Sequence, residues 1–178
     1  MISVTRALSC LSDFGSIPPA VLQNACLRGS EVHAAALSYA VGGWVRPLSE
    51  QAQPFYNSFV TWFDAYIVDV VGVEIEVVSK KYQYLGHIDM IATIKGNKKP
   101  SVIDLKTPAQ GNKSWPPQVS AYRQAATESG YKLAPGAYSV RLRKDGGPAL
   151  AKHYKSQADH LAVFLSCLNI SRYINKEK

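Results

Sequence analysis

Val102-Ile103-Asp104-Leu105-Lys106-Thr107 alternates as a β-strand does, with two sides of different kind. Side chains two apart on a strand share a face, so Asp104 and Lys106 are displayed together while Ile103 and Leu105 turn the other way. Upstream, the β-rich run from Tyr82 to Lys95 places Asp89 between Ile88 and Met90. By the same alternation those two share a face with Ile94, leaving Asp89 on a polar side with His87 and Thr93. Between the runs, Gly96-Asn97-Lys98-Lys99-Pro100 is polar and too short for a crossover helix, so the strands should form an antiparallel hairpin. With the loop centred on Gly96-Asn97, Asp89 sits opposite Asp104, Cβ atoms about 5 Å apart. Moving the centre by one residue moves the partner by two and keeps the face.

Two carboxylates held this close repel unless a cation lies between them, and their hard oxygens suit Mg²⁺ or Mn²⁺. Such an ion polarises a phosphoryl oxygen, and a lysine beside it can orient the nucleophile or neutralise charge developing in the transition state. An isolated Asp-x-Lys on a strand is commonplace, however, and is mostly a solvent-facing ion pair worth about 0–1 kcal/mol. The second acidic strand in register and the apolar lead-in Val102-Ile103 set this instance apart.

Working outward, Val4, Leu8, Leu11 and Phe14 recur at helical spacing behind Ser3 as N-cap. Pro18-Pro19 opens a second helical stretch, which Arg28-Gly29-Ser30 should interrupt before Ser30 caps a helix from Glu31 to about Val41. Phe55, Phe59, Trp62, Phe63 and Tyr66 form one aromatic helical face, read as core. Alternation begins after Gly72 with Val73, Ile75 and Val77. A helix from about Pro117 to Ser129 comes after the hairpin. Ala137 to Arg143 and Ala149 to Tyr154 should pair around Asp145-Gly146-Gly147, and Ser156 starts a closing helix. This order predicts one mixed α/β domain over residues 1–178, with a central sheet flanked by helices.

A formal charge of +7 favours a polyanionic partner, nucleic acid first. Met1 to Leu11 lacks the apolar block of an export signal, and no apolar run approaches the roughly 20 residues of a membrane span, so a cytoplasmic protein is expected. Cys10, Cys26 and Cys167 lie far apart, as free and mostly buried thiols would.

Gly86-His87-Ile88-Asp89, then Val102 to Thr107, then Gln118-x-x-x-Tyr122 resembles the PD-(D/E)XK nuclease superfamily in its RecB-like and phage-exonuclease branch. Arg28-Gly29-Ser30-Glu31-Val32-His33 is similar to that branch's Gly-(Ser/Thr)-x-x-His helix motif. The resemblance implies the restriction-endonuclease-like core. It makes Asp89, Asp104 and Lys106 catalytic, and His33, Asp89, Asp104 and the main-chain carbonyl of Leu105 the ligands of Mg²⁺ or Mn²⁺. Glu76 would be an accessory acid, with Gln118 and Tyr122 on a helix face touching the site and the DNA backbone. Without the resemblance, His33 reads as a packed or surface histidine and Tyr122 as ordinary helix surface. Three cysteines cannot supply the four thiolates of the iron–sulfur cluster some relatives carry, so none is expected.

Arg28, Ser30, Lys113, Trp115, Gln118, Tyr122 and Arg123 are the expected DNA contacts, with Arg141, Arg143 and Lys144 further along the same groove. Trp115 either stacks on a base of single-stranded DNA or packs ahead of Pro116-Pro117. The implied activity is DNA hydrolysis, as an exonuclease in replication, recombination or repair in a prokaryote or phage-infected cell. A junction-type endonuclease and a non-catalytic DNA-binding module with the same fold are the alternatives.

Overall fold

The Asp-x-Lys strand lies inside the sheet, with a neighbour on each side. The computed structural model describes residues 1–11 and 17–176. Within them the strands are β1 (Ile2–Ser3), β2 (Ile67–Ser79), β3 (Tyr84–Ile94), β4 (Ser101–Lys106), β5 (Ala137–Arg141) and β6 (Leu150–Tyr154). The helices are α1 (Val4–Ala7), α2 (Pro19–Ala40), α3 (Gln53–Tyr66), α4 (Trp115–Glu128) and α5 (Gln157–Lys176). The sheet runs β1-β3-β4-β5-β6, with β2 antiparallel along the other edge of β3. β4 is antiparallel to β3 and parallel to β5, because the chain passes through α4 between them. This is the expected mixed α/β architecture, with helices on both faces of a mixed sheet.

Two apolar clusters hold it. On one face α1, α4 and α5 bring Val4, Val119, Tyr122 and Phe164 against Tyr84, Ile88 and Val102. On the other, α2 and α3 bring Val32, Leu37, Phe59 and Trp62 against Met90, Ile103, Leu105 and Val140. Each fully buried aliphatic or aromatic side chain contributes about 1.5–3 kcal/mol, so both helix layers are fixed firmly. Among the described residues no helix is long and apolar enough to cross a membrane.

Several expectations need correction. The first helix is one α-turn followed by a 3-10 turn over Leu8–Leu11, and Ser3 caps it by accepting the Arg6 N–H. Phe14 lies outside the described residues. Arg28-Gly29-Ser30 does not interrupt α2, which is continuous from Pro19, so Ser30 is an exposed mid-helix residue and not a cap. Gly29 serves close approach instead: a Cβ there would stand 3.4 Å from Thr107 Oγ1 at the end of β4. β2 starts well before Gly72, because the β-branched run Ile67 to Val71 extends it. Tyr66, the last of the aromatic stripe, is 51% exposed, and Cys10 and Cys26 are exposed as well.

The hairpin of β2 and β3 shifts register between Ile67 and Asp69 and between Val70 and Gly72, and Glu74 has a positive φ within it. Val73 and Met90 are register partners in the α2/α3 layer, whereas Ile75 and Ile88, two residues on, pack into the α1/α4/α5 layer. Strict alternation would keep each pair on one face. Glu74 lies between them at φ 49°, a left-handed conformation costing a non-glycine residue about 1–3 kcal/mol. The hairpin thus exchanges its faces at Glu74 and at Asp89 opposite, so Ile88 and Met90 do not share a side as alternation predicts.

Candidate active site

β3 and β4 pair as Ala92 with Ser101, Ile91 with Val102 and Met90 with Ile103, the register in which Asp89 would face Asp104. Backbone pairing stops at Met90. One residue further, the Leu105 N–H donates to Asp89 Oδ2 at 2.6 Å, so a side chain replaces the ladder where the strands part. The face exchange at Asp89 and this substitution have one consequence: both carboxylates sit where the sheet opens.

From the α2 side, His33 Nδ1 lies 3.5 Å from Asp89 Oδ1. From the α4 side, Lys106 Nζ donates to Gln118 Oε1 at 2.8 Å and lies 5.8 Å from the centre of the Trp115 ring. Gln118 Nε2 in turn donates to the Tyr122 hydroxyl at 3.0 Å, as their spacing of four on one helix allows. Lys106 Nζ also stands 2.6 Å from Asp104 Oδ2. That contact is a short, buried ion pair between the ammonium and the carboxylate.

Burial pushes the Asp104 carboxyl up to about 6, with the charge of Asp89 adding to the shift and Lys106 opposing it. For Asp89 burial again raises the value, but the hydrogen bond and charge of His33, then Lys106 and the Leu105 N–H, outweigh it and hold Asp89 below the usual range. Burial lowers His33, and its hydrogen bond to Asp89 with the charges of both aspartates more than reverses this, so His33 is raised. Burial prevails at Asp104 and the positive neighbours prevail at Asp89, so two adjacent carboxylates are shifted in opposite directions, as acids at functional sites often are.

Asp89, Asp104 and His33 supply hard oxygen and imidazole donors of the kind that hold Mg²⁺ or Mn²⁺. Among the described residues no three acidic, histidine or cysteine side chains already stand as a ligand set. Instead Asp89 leans on His33 and Asp104 on Lys106. An ion would compete with His33 and Lys106 for these oxygens.

The remaining expected residues divide. Gln118 and Tyr122 belong to the site through Lys106 and are buried, not DNA-facing surface. Glu76 does not belong: it is 67% exposed and lies 3.4 Å from His87 on the outer side of the hairpin. Trp115 is 8% exposed and packs beside Lys106, so it presents no free face to a base. Arg123 is half-buried and uses its Nε–H on the Ala134 carbonyl at 2.9 Å, tying α4 to the segment before β5. Lys113 and Ser30 are exposed, and Arg28 reaches a cavity beside the end of β4. Two contributors lie outside the expected site residues, Glu74 with its left-handed backbone and Gly86 under the Tyr122 ring. Gly86 had a visible signal, since it begins the Gly86-His87-Ile88-Asp89 motif. No family model and no curated protein matches this chain.

Proposed function

We propose that this chain is a Mg²⁺- or Mn²⁺-dependent deoxyribonuclease. One observation carries the reading: Asp89 and Asp104 flank the point where β3 leaves β4, with Lys106 fixed beside them by Gln118. Asp89, Asp104, His33 and the Leu105 main chain would hold the ion. Once bound, a hard divalent cation offsets the two carboxylates and lends Lewis acidity to a phosphoryl oxygen.

The protein's own residues do the rest. Lys106 presents an ammonium at the site's edge, held from Gln118, where it can meet a phosphate oxygen or the charge that develops on it. Gln118 and Tyr122 keep that ammonium from swinging into solvent. Helices α2 and α4 wall the opening, and the formal +7 charge draws a polyanionic strand towards it. The resemblance to phage exonucleases favours removal of nucleotides from strand ends, in replication, recombination or repair.

The test is incubation of end-labelled linear DNA and a covalently closed circle with Mg²⁺, Mn²⁺ or EDTA. Metal-dependent shortening of the linear DNA with the circle intact supports the exonuclease. Cutting of the circle supports an endonuclease with the same ligands. Stable binding with no cleavage in either metal overturns the proposal in favour of an inert binding module.

A further inference from the structure

β2 forms one edge of the sheet: among the described residues it pairs with β3 alone, so the backbone groups of its outer side have no strand partner. That edge changes character along its length. At its start Tyr66 is 51% exposed, and Lys95, whose N–H donates to the Tyr66 carbonyl at 2.7 Å, leads into the turn that carries Lys98 and Lys99. All three lysines are exposed and outnumber Asp69, the one acid between Tyr66 and Val71. In the middle, Val68 and Val71 are the residues skipped at the two register shifts, and they are 67% and 48% exposed. Past them Glu74 and Glu76 are exposed, Glu76 leaning on His87 across the hairpin.

Bulges guard a sheet edge by breaking its ladder, and natural edges usually add charge to the same end. Here the bulged residues are valines, and apolar side chains held out at an edge invite contact instead of preventing it. The order basic, apolar, acidic is also its own complement when read in the opposite direction. A twofold axis midway between Val68 and Val71 sets Val68 of one copy against Val71 of the other and Tyr66 against Val73. The lysines beside and beyond Tyr66 then reach Glu74 and Glu76 of the second copy, while Lys80 and Lys81 fall past the end of its strand. We infer that this edge joins two copies of the chain, β2 lying antiparallel to β2 of the second copy with valine on valine and lysine on glutamate. An acidic peptide would satisfy the lysines and be repelled by the glutamates, whereas a second copy satisfies both ends. β2 and β4 run the same way, both antiparallel to β3, so the pairing points the two Asp104–Lys106 ends in opposite directions. The dimer therefore carries two separate sites and not one shared across the axis. No side chain that would hold the ion or that fixes Lys106 lies on this edge, so the pairing stands or falls apart from the nuclease reading.

The experiment is sedimentation equilibrium of the full chain over a concentration series. It compares the wild type with Glu76→Lys, with the double variant Lys98→Glu and Lys99→Glu, and with these two charge-reversed proteins mixed. The expected result is a reversible wild-type dimer, self-association weakened roughly tenfold or more in each reversed protein, and recovery of the dimer in the mixture, where each basic end again meets an acidic one. Val68→Asp, which puts a carboxylate into the apolar centre, should weaken the dimer to a similar degree. Every replaced side chain is exposed in the single copy, so these changes spare its core. A wild type that stays monomeric at every concentration, a dimer that none of the variants weakens, or a mixture that associates no better than its components overturns the inference.

Discussion

The Tyr122 ring rests on Gly86 so closely that a Cβ at that glycine would meet Tyr122 Cε1 at 2.6 Å and Cδ1 at 2.8 Å. Tyr122 is 4% exposed and its hydroxyl holds Gln118, which holds Lys106. Gly86→Ala must therefore push the ring, and the push travels to the ammonium. The substitution should cost about 1–3 kcal/mol of stability and lower DNA cleavage at least ~10-fold. With Tyr122→Leu already present, the same change should cost much less, as residues in contact are not additive. Full additivity in denaturant unfolding would contradict the contact.

Removing Lys106 should separate chemistry from metal binding. Its ammonium competes for Asp104 at 2.6 Å, so Lys106→Ala should bind Mn²⁺ at least as tightly as the wild type. Cleavage should nevertheless fall at least ~100-fold, about 3 kcal/mol of transition-state stabilisation. Equilibrium dialysis and single-turnover cleavage measure the two effects. A variant that cleaves normally, or binds metal much more weakly, would refute the assigned role.

Trp115 should matter through Lys106 and not through DNA. Its ring centre is 5.8 Å from Nζ, a contact worth about 1 kcal/mol, so Trp115→Ala should reduce kcat about fivefold with KM little changed. Trp115→Phe should retain most of the rate. A rise in KM without a fall in kcat would instead place the ring on the strand.

The metal-free protein should lose stability as pH rises across the mildly acidic range. Asp104 titrates near its ordinary 3.8 when unfolded and at about 6 when folded, so between these values the folded state holds the extra proton and stability falls with rising pH. His33, raised above 6.5, extends the loss above that value, because its charged-state stabilisation disappears as pH climbs through the folded value. Asp89 acts oppositely and below 3.8, where acid protonates a carboxyl that the folded state prefers ionised. Thermal unfolding in EDTA should therefore show a decline from about pH 4 to pH 6 that Asp104→Asn largely removes. An equally steep decline in the variant would assign the effect elsewhere.

Much of this site was readable because it obeys local rules. The five-residue polar turn fixed how Ser101, Val102 and Ile103 pair, and alternation placed Asp104 and Lys106 on one face. The rest depended on events alternation cannot register. Glu74 takes a left-handed backbone with no glycine to announce it, and that moves Asp89 out of step with Ile88. Gly29 reads as a helix break, yet it is the place where α2 touches Thr107. Glu76 has the right spacing for an accessory acid but falls on the outer side once the hairpin has changed faces. The cavity that Arg28 reaches joins α2 to the β5–β6 turn, residues more than a hundred apart, which no local pattern can bring together.

Calorimetric titration of the protein with Mn²⁺, beside Asp89→Asn and Asp104→Asn, tests the shared-ion claim most directly. We expect saturable binding to the wild type and at least tenfold weaker binding to each variant, since each removes one of two carboxylates on the same ion. No binding to the wild type, or binding unchanged in both variants, would contradict it.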